Sequence, residues 1–266
     1  NFAGDPANPL TGQLWYDSNA SEFKYQEQVT GNAWSTGNFM NTARGQLAGA
    51  GTQTAALGFG GGSPTVTALT ESYNGTNWTE VNDLNTARKS SGGAGTQTAA
   101  LAYGGVAPPG NFTITELWNG SSWTEVADLN TSTRSMGSGG TSTSAISAGG
   151  GPVATVDTET WNGTSWTEVA NLNTARNSMA GVAANNTSAL AFGGHLPPGS
   201  LANTESWNGS IWTDVADLNT ARRQLAGAGI ATAALAFGGE TPTAAQVANT
   251  ELWNGSIWTE TSDLNI

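Results

Sequence analysis

The pattern Thr-Glu, two residues, Asn-Gly, two residues, Trp-Thr-acid occurs five times, at residues 70–80, 115–125, 158–168, 204–214 and 250–260. A recurrence of about 45 residues is too long for a coiled-coil heptad or a leucine-rich repeat, and it matches one four-stranded propeller blade. The period sets the architecture before any single residue is weighed.

One unit shows the strand pattern. From Arg88, small residues at 91–94, turn chemistry at Gly95-Thr96-Gln97-Thr98 and the apolar run Ala99–Tyr103 closed by Gly104-Gly105 read as two strands joined by a hairpin. A loop from Val106 to Ile114 leads to Thr115–Trp118, Asn119-Gly120 and Trp123–Val126. This predicts a second hairpin, because both turn residues tolerate positive φ. Counting from Arg44, Arg88, Arg134, Arg176 and Arg222 gives blades at 44–87, 88–133, 134–175, 176–221 and 222–266, with residues 1–43 outside them. Every blade carries its own four strands, so ring closure is expected to rest on packing between blades one and five. The innermost segments, such as 45–51 and 223–229, are rich in Gly, Ala and Ser. Such small side chains allow few blades to converge on a tight axis.

Several positions recur in order: Gly104-Gly105, Trp118, Trp123, Leu129 and Arg134, with counterparts in all five copies over 44–266. This arrangement resembles the kelch repeat. The resemblance implies an all-β fold, here a five-bladed β-propeller, where kelch modules usually have six or seven blades.

Composition agrees with short strands and tight turns: 11% of residues are charged and Gly fills 36 positions. There is no Cys, which removes disulfides and thiolate metal sites. A net charge of −12 repels phosphate backbones and anionic headgroups, so no nucleic acid partner is expected. The longest apolar runs, Ala99–Tyr103 and Ala233–Phe237, fall far below the roughly 18 residues of a membrane helix. No membrane insertion is expected. The sequence opens at Asn1 with neither a basic n-region nor an apolar h-region, which reads as a processed, trimmed or partial product.

Charges and aromatics follow the repeat. Arg44, Arg88, Arg134, Arg176 and Arg222 are expected to pair with Glu71, Glu116, Glu159, Glu205 and Glu251 and so brace neighbouring blades. A ring of arginines holding an anion is the weaker reading, since a repeated position in a ring is first a packing requirement. Nine of eleven Trp fall in two registers, one at 118, 161, 207 and 253 with Tyr73 in the missing place, the other at Trp78, Trp123, Trp166, Trp212 and Trp258. Most are expected between blades, each burying roughly 150–250 Å². The alternative is that the second register stacks on glycan rings at the blade boundaries.

If the framework is shared, recognition belongs where copies differ. The segments after Gly-Gly, at 62–69, 106–114, 151–157, 195–203 and 240–249, vary in length and share little. Up-and-down strand order puts them at the same end as the Asp-Leu-Asn-Thr linkers. Val106, Asn111, His195, Ser200, Glu240 and Gln246 are the candidate ligand contacts there. His195 is the single His, and no elbow, phosphate loop or zinc spacing is present. The chain cannot supply the His and Cys-Tyr ligands of galactose oxidase, the familiar kelch-like enzyme. No enzyme activity, catalytic residue, cofactor or metal is expected.

Residues 1–43 depart from the repeat. Gly12-Gln13-Leu14-Trp15-Tyr16-Asp17, Glu22-Phe23-Lys24-Tyr25 and Ala33-Trp34-Ser35 predict a three-stranded meander that enters blade one as a preceding half-blade would. This run resembles short modules of bacteriophage tail and tail-fibre proteins. The expectation is a non-enzymatic binding or structural protein at a virion surface or in an extracellular setting. Its partners would be other virion proteins or a host cell-surface glycan or protein.

Overall fold

The computed structural model describes residues 34–62 and 64–265, together with two strands, Leu14–Asp17 and Glu22–Tyr25. Compact units comprise residues 1–34 and 35–266. In the first, the two strands pair antiparallel from Leu14 with Tyr25 to Asp17 with Glu22. Of the third strand expected at 33–35, Trp34 and Ser35 have no strand structure and Ala33 lies outside the described residues.

The second unit is a ring of five four-stranded antiparallel blades, with strands in simple sequence order from axis to rim. Blade two is built from Gly92–Thr96, Ala99–Tyr103, Thr115–Trp118 and Trp123–Val126. The inner hairpin turns on Gln97-Thr98, because Gly95 and Thr96 stay paired with Ala100 and Ala99. Gly95 makes this possible at φ +112, where an added Cβ would lie 2.2 Å from the Ala99 carbonyl oxygen. Blade four has Ala184 at this point and bulges between Ala183 and Asn185. Gly95→Ala is therefore expected to lower stability by about 1–3 kcal/mol, read from the denaturation midpoint. An unchanged midpoint would show that the strand end relaxes into a bulge at no cost.

The outer hairpin forms as expected, but Asn119 does not share the positive φ of Gly120. Trp118 pairs with Trp123, so the connection is four residues long. Asn119 Oδ1 accepts from the Ser121 and Ser122 amides, both at 2.9 Å, and only Gly120 takes positive φ. The Asn acts through its side chain, as in an Asx turn.

The cores lie between blades. Leu57, Phe59 and Leu84 of blade one meet Ala100, Ala102, Trp118 and Trp123 of blade two, and corresponding positions fill the next three boundaries, with Ala148 in place of the aromatic in blade three and Ser147 in place of the second Ala. Alternation along the second strand produces this: Ala100 and Ala102 face one neighbour, Leu101 and Tyr103 the other. Inner strands approach so closely that a Cβ on Gly93 would stand 2.5 Å from the Gly49 carbonyl oxygen. Together they line an axial cavity of about 450 Å³.

Just before each inner strand, one non-Gly residue takes left-handed geometry: Gln46, Ser90, Ser135, Ser178 and Gln224, at φ 52–56°. Four of their amides donate to the preceding blade, from Ser90 to the Gln46 carbonyl through to Gln224 to the Ser178 carbonyl, at 2.7–2.9 Å. No core cluster among the described residues joins blade five to blade one. Ahead of blade one, the amides of Asn41 and Thr42 donate to Glu71. The inner strands of these two blades are also more exposed than those of blades two to four.

Candidate functional site

The linkers explain how the repeated polar residues are used. Between blades one and two, Asp83 accepts from the Thr70 amide and the Leu84 amide donates to Ala68, both in blade one. The next residues engage blade two: the Asn85 amide and Nδ2 reach Glu116 Oε2 at 2.7 and 2.9 Å, and the Thr86 amide reaches Oε1 at 3.3 Å. Glu116 also holds Arg88 at 2.6 Å, with both side chains fully buried. Arg176–Glu205 at 2.7 Å, Arg222–Glu251 at 2.9 Å and Arg44–Glu71 repeat the pair. Each pair lies within one blade, so the expectation that arginines brace neighbouring blades is corrected. The brace is the linker, and the guanidinium neutralises the carboxylate that anchors it.

Burial pushes the pKa of Arg88, Arg176 and Arg222 down, and the facing carboxylates counter it. Burial raises the Glu71 pKa, but the Arg44 hydrogen bond and the Asn41 and Thr42 amides outweigh it and hold the carboxyl below its ordinary value.

Blade three breaks the pattern, which corrects the expected Arg134–Glu159 pair. The Gly105 amide bonds Thr133 as the Gly61 amide bonds Arg88, so Thr133 occupies the arginine position. Arg134 follows it, where blade two has Lys89, and lines an axial recess with Lys89 and Ser135. Among the described residues Arg134 forms no ion pair. The signal was in the spacing: Trp123 to Arg134 is one residue longer than Trp78 to Arg88.

The candidate stacking tryptophans are mostly covered. Trp123, Trp166, Trp212 and Trp258 are buried, and each Nε1 donates to a Thr hydroxyl of the preceding blade at 3.0–3.2 Å. Their rings pack against Trp118, Trp161, Trp207 and Trp253, and three also meet Phe59, Tyr103 or Phe192. No open face remains on these four for a sugar. Trp78 is half-buried against Tyr73 at 5.0 Å.

The six loop residues turn out to be three cross-strand pairs at loop bases. Val106 pairs with Asn111, His195 with Ser200, and Glu240 with Gln246. Each loop is anchored to the segment before its own inner strand by a bridge: Lys89 with Val106, Asn177 with His195, Arg223 with Glu240. Glu240 is also engaged by Arg223, at 3.2 Å through two nitrogens. The Ser200 hydroxyl donates to the Glu240 carbonyl at 3.4 Å, which joins the loops of blades four and five. What stands exposed is the tips, Pro108-Pro109-Gly110 and Leu196-Pro197-Pro198. These two loops therefore share a Pro-Pro-Gly tip, contrary to the expectation that the loops have little in common.

The geometry defines a class, a five-bladed β-propeller of four-stranded antiparallel blades. No protein-family model matches the chain, and no curated protein sequence matches it.

Proposed function

We propose that the chain is a non-enzymatic binding protein of kelch type, a virion surface or tail component that makes attachment or protein–protein contacts through its loops. One observation carries this reading: four repeat Arg–Glu pairs, the linker Asn that join them and four of the five Trp of the second register are consumed inside and between blades, while the exposed material that varies between copies gathers at the linker end. The Pro-Pro tips of blades two and four are stiff, so little entropy is lost when they bind. Several such loops on one ring add weak contacts into useful avidity. The run 12–35 that resembles tail modules supplies the virion context. Glycan recognition between blades has little to draw on, because four of its five aromatic platforms are covered.

Replacing 107–110 and 196–199 by Gly-Ser segments of equal length is expected to leave the melting temperature near that of the parent. Binding to host cells, or incorporation into particles, should fall by at least about tenfold, roughly 1.4 kcal/mol. Retained binding by the doubly replaced protein, or absence of the protein from purified particles by mass spectrometry, would overturn the proposal.

A further inference from the structure

In blades two, four and five the repeat Glu holds a guanidinium that also donates to carbonyls of its own blade. Arg88 reaches the Ala102 carbonyl at 3.2 Å, Arg176 that of Asn203 at 2.8 Å, and Arg222 those of Gly238 and Asn249 at 3.1 and 2.6 Å. Blade three has the same carboxylate, also buried at 4% exposure, with Thr133 where the arginine stands elsewhere. Thr133 is too short to fill the place, and its hydroxyl turns to the Gly149 carbonyl at 3.2 Å. A cavity of about 230 Å³ results, lined by Glu159, Ser147, Thr133, Asp157 and Thr155. That is several times the ~30 Å³ share of one water.

Three further features belong to this blade. Glu159 accepts from the Asn130 amide and Nδ2 and the Thr131 amide at 2.8–2.9 Å, all neutral donors, so its charge has no cation beside it among the described residues. Ser147 sits opposite Glu159 in the sheet, where the other blades carry Gly58, Ala102, Ala191 and Ala236. It is 4% exposed and lines the cavity, and its hydroxyl has no hydrogen-bond partner among the described residues. Asp157 stands exposed at the mouth, in the register of Leu69, Ile114, Asn203 and Asn249. The acid that anchors the third strand elsewhere is Asn171 here, yet Glu159 and Asp157 still leave the cavity anionic.

We propose that blade three holds a guanidinium-binding site, which takes from a ligand the group that the other blades take from their own chain. Glu159 Oε1 supplies the charge, the Ser147 hydroxyl and nearby carbonyls accept the remaining N–H groups, and Asp157 draws the cation to the mouth. Planar donors in a fixed fork suit this wall better than an ammonium does. The site stands on the geometry of blade three alone and does not depend on the loop-tip reading.

Titration calorimetry of the whole chain with methylguanidinium tests it. Saturable binding at one site is expected, weakened at least about tenfold in Glu159→Gln. Ser147→Ala, which installs the residue found in blades two, four and five, should fold normally and also bind more weakly. Thr133→Arg should abolish binding and raise the melting temperature, because its own guanidinium fills the cavity. No saturable binding, binding that survives Thr133→Arg, or equal binding of methylammonium would overturn the site. A peptide with one exposed arginine that binds more tightly than methylguanidinium would identify a protein side chain as the source. Binding of methylguanidinium alone would identify a free small cation.

Discussion

Glu116→Ala is expected to destabilise the chain by about 3–5 kcal/mol, the usual result of removing one partner from a buried ion pair. Two losses combine. Arg88 keeps its charge with no carboxylate beside it, in a place where it is fully buried. The linker donors Asn85 N, Asn85 Nδ2 and Thr86 N lose their acceptor as well. Glu116→Gln should fall between the two, since it retains an acceptor for the linker but not the charge. Urea denaturation followed by tryptophan fluorescence reads the difference. A midpoint for Glu116→Ala within error of the parent would mean that water enters and solvates Arg88, and would refute the view that this carboxylate anchors the linker.

Trp166→Ala should cost a similar amount, about 3–5 kcal/mol. The ring is 5% exposed, packs on Tyr103 at 4.8 Å and on Trp161 at 5.6 Å, and donates to the Thr115 hydroxyl at 3.0 Å. Its burial of roughly 150–250 Å² is worth up to about 4–6 kcal/mol at about 25 cal/mol/Å². Trp78→Ala should cost distinctly less, because that ring is only half-buried and has no counterpart of the Thr115 bond among the described residues. Equal losses at the two positions would contradict the claim that stability resides in the boundaries between blades. Both variants can be followed by calorimetry, which also reports whether the ring melts as one unit.

The blades were legible because their signals are local and repeated. Asn-Gly, Gly-Gly and the alternating apolar run each depend on a few adjacent residues, so five copies vote for the same strands. The turn chemistry was less legible. Asn-Gly marks a turn either way, and only the pairing of Trp118 with Trp123 distinguishes a four-residue loop capped by Asn119 Oδ1 from a two-residue one. Likewise Gly95 carries turn chemistry in the sequence, but its partner Ala100 keeps it in the strand.

The candidate sites divide in the same way. The charge of the repeat Glu and Arg, and the identity of their partners in four blades, follow from composition and recurrence. Residue type points to Arg134 whereas the count from Trp123 points to Thr133, and a shift of one residue moves a side chain from the core to the axial recess. Variability marks the loops but does not separate the base of a ribbon from its tip. Val106 with Asn111 and His195 with Ser200 are bases, and the exposed prolines between them are tips.

By itself, then, the sequence determined the number of blades, their strand order and the residue types that build the boundaries, since periodicity and alternation are properties of the chain alone. Only the tertiary structure decided that each ion pair lies within its own blade, which aromatic faces are covered, and that blade three carries a cavity beside Glu159. Those outcomes depend on distances between residues dozens of positions apart, set by how neighbouring blades and linkers pack.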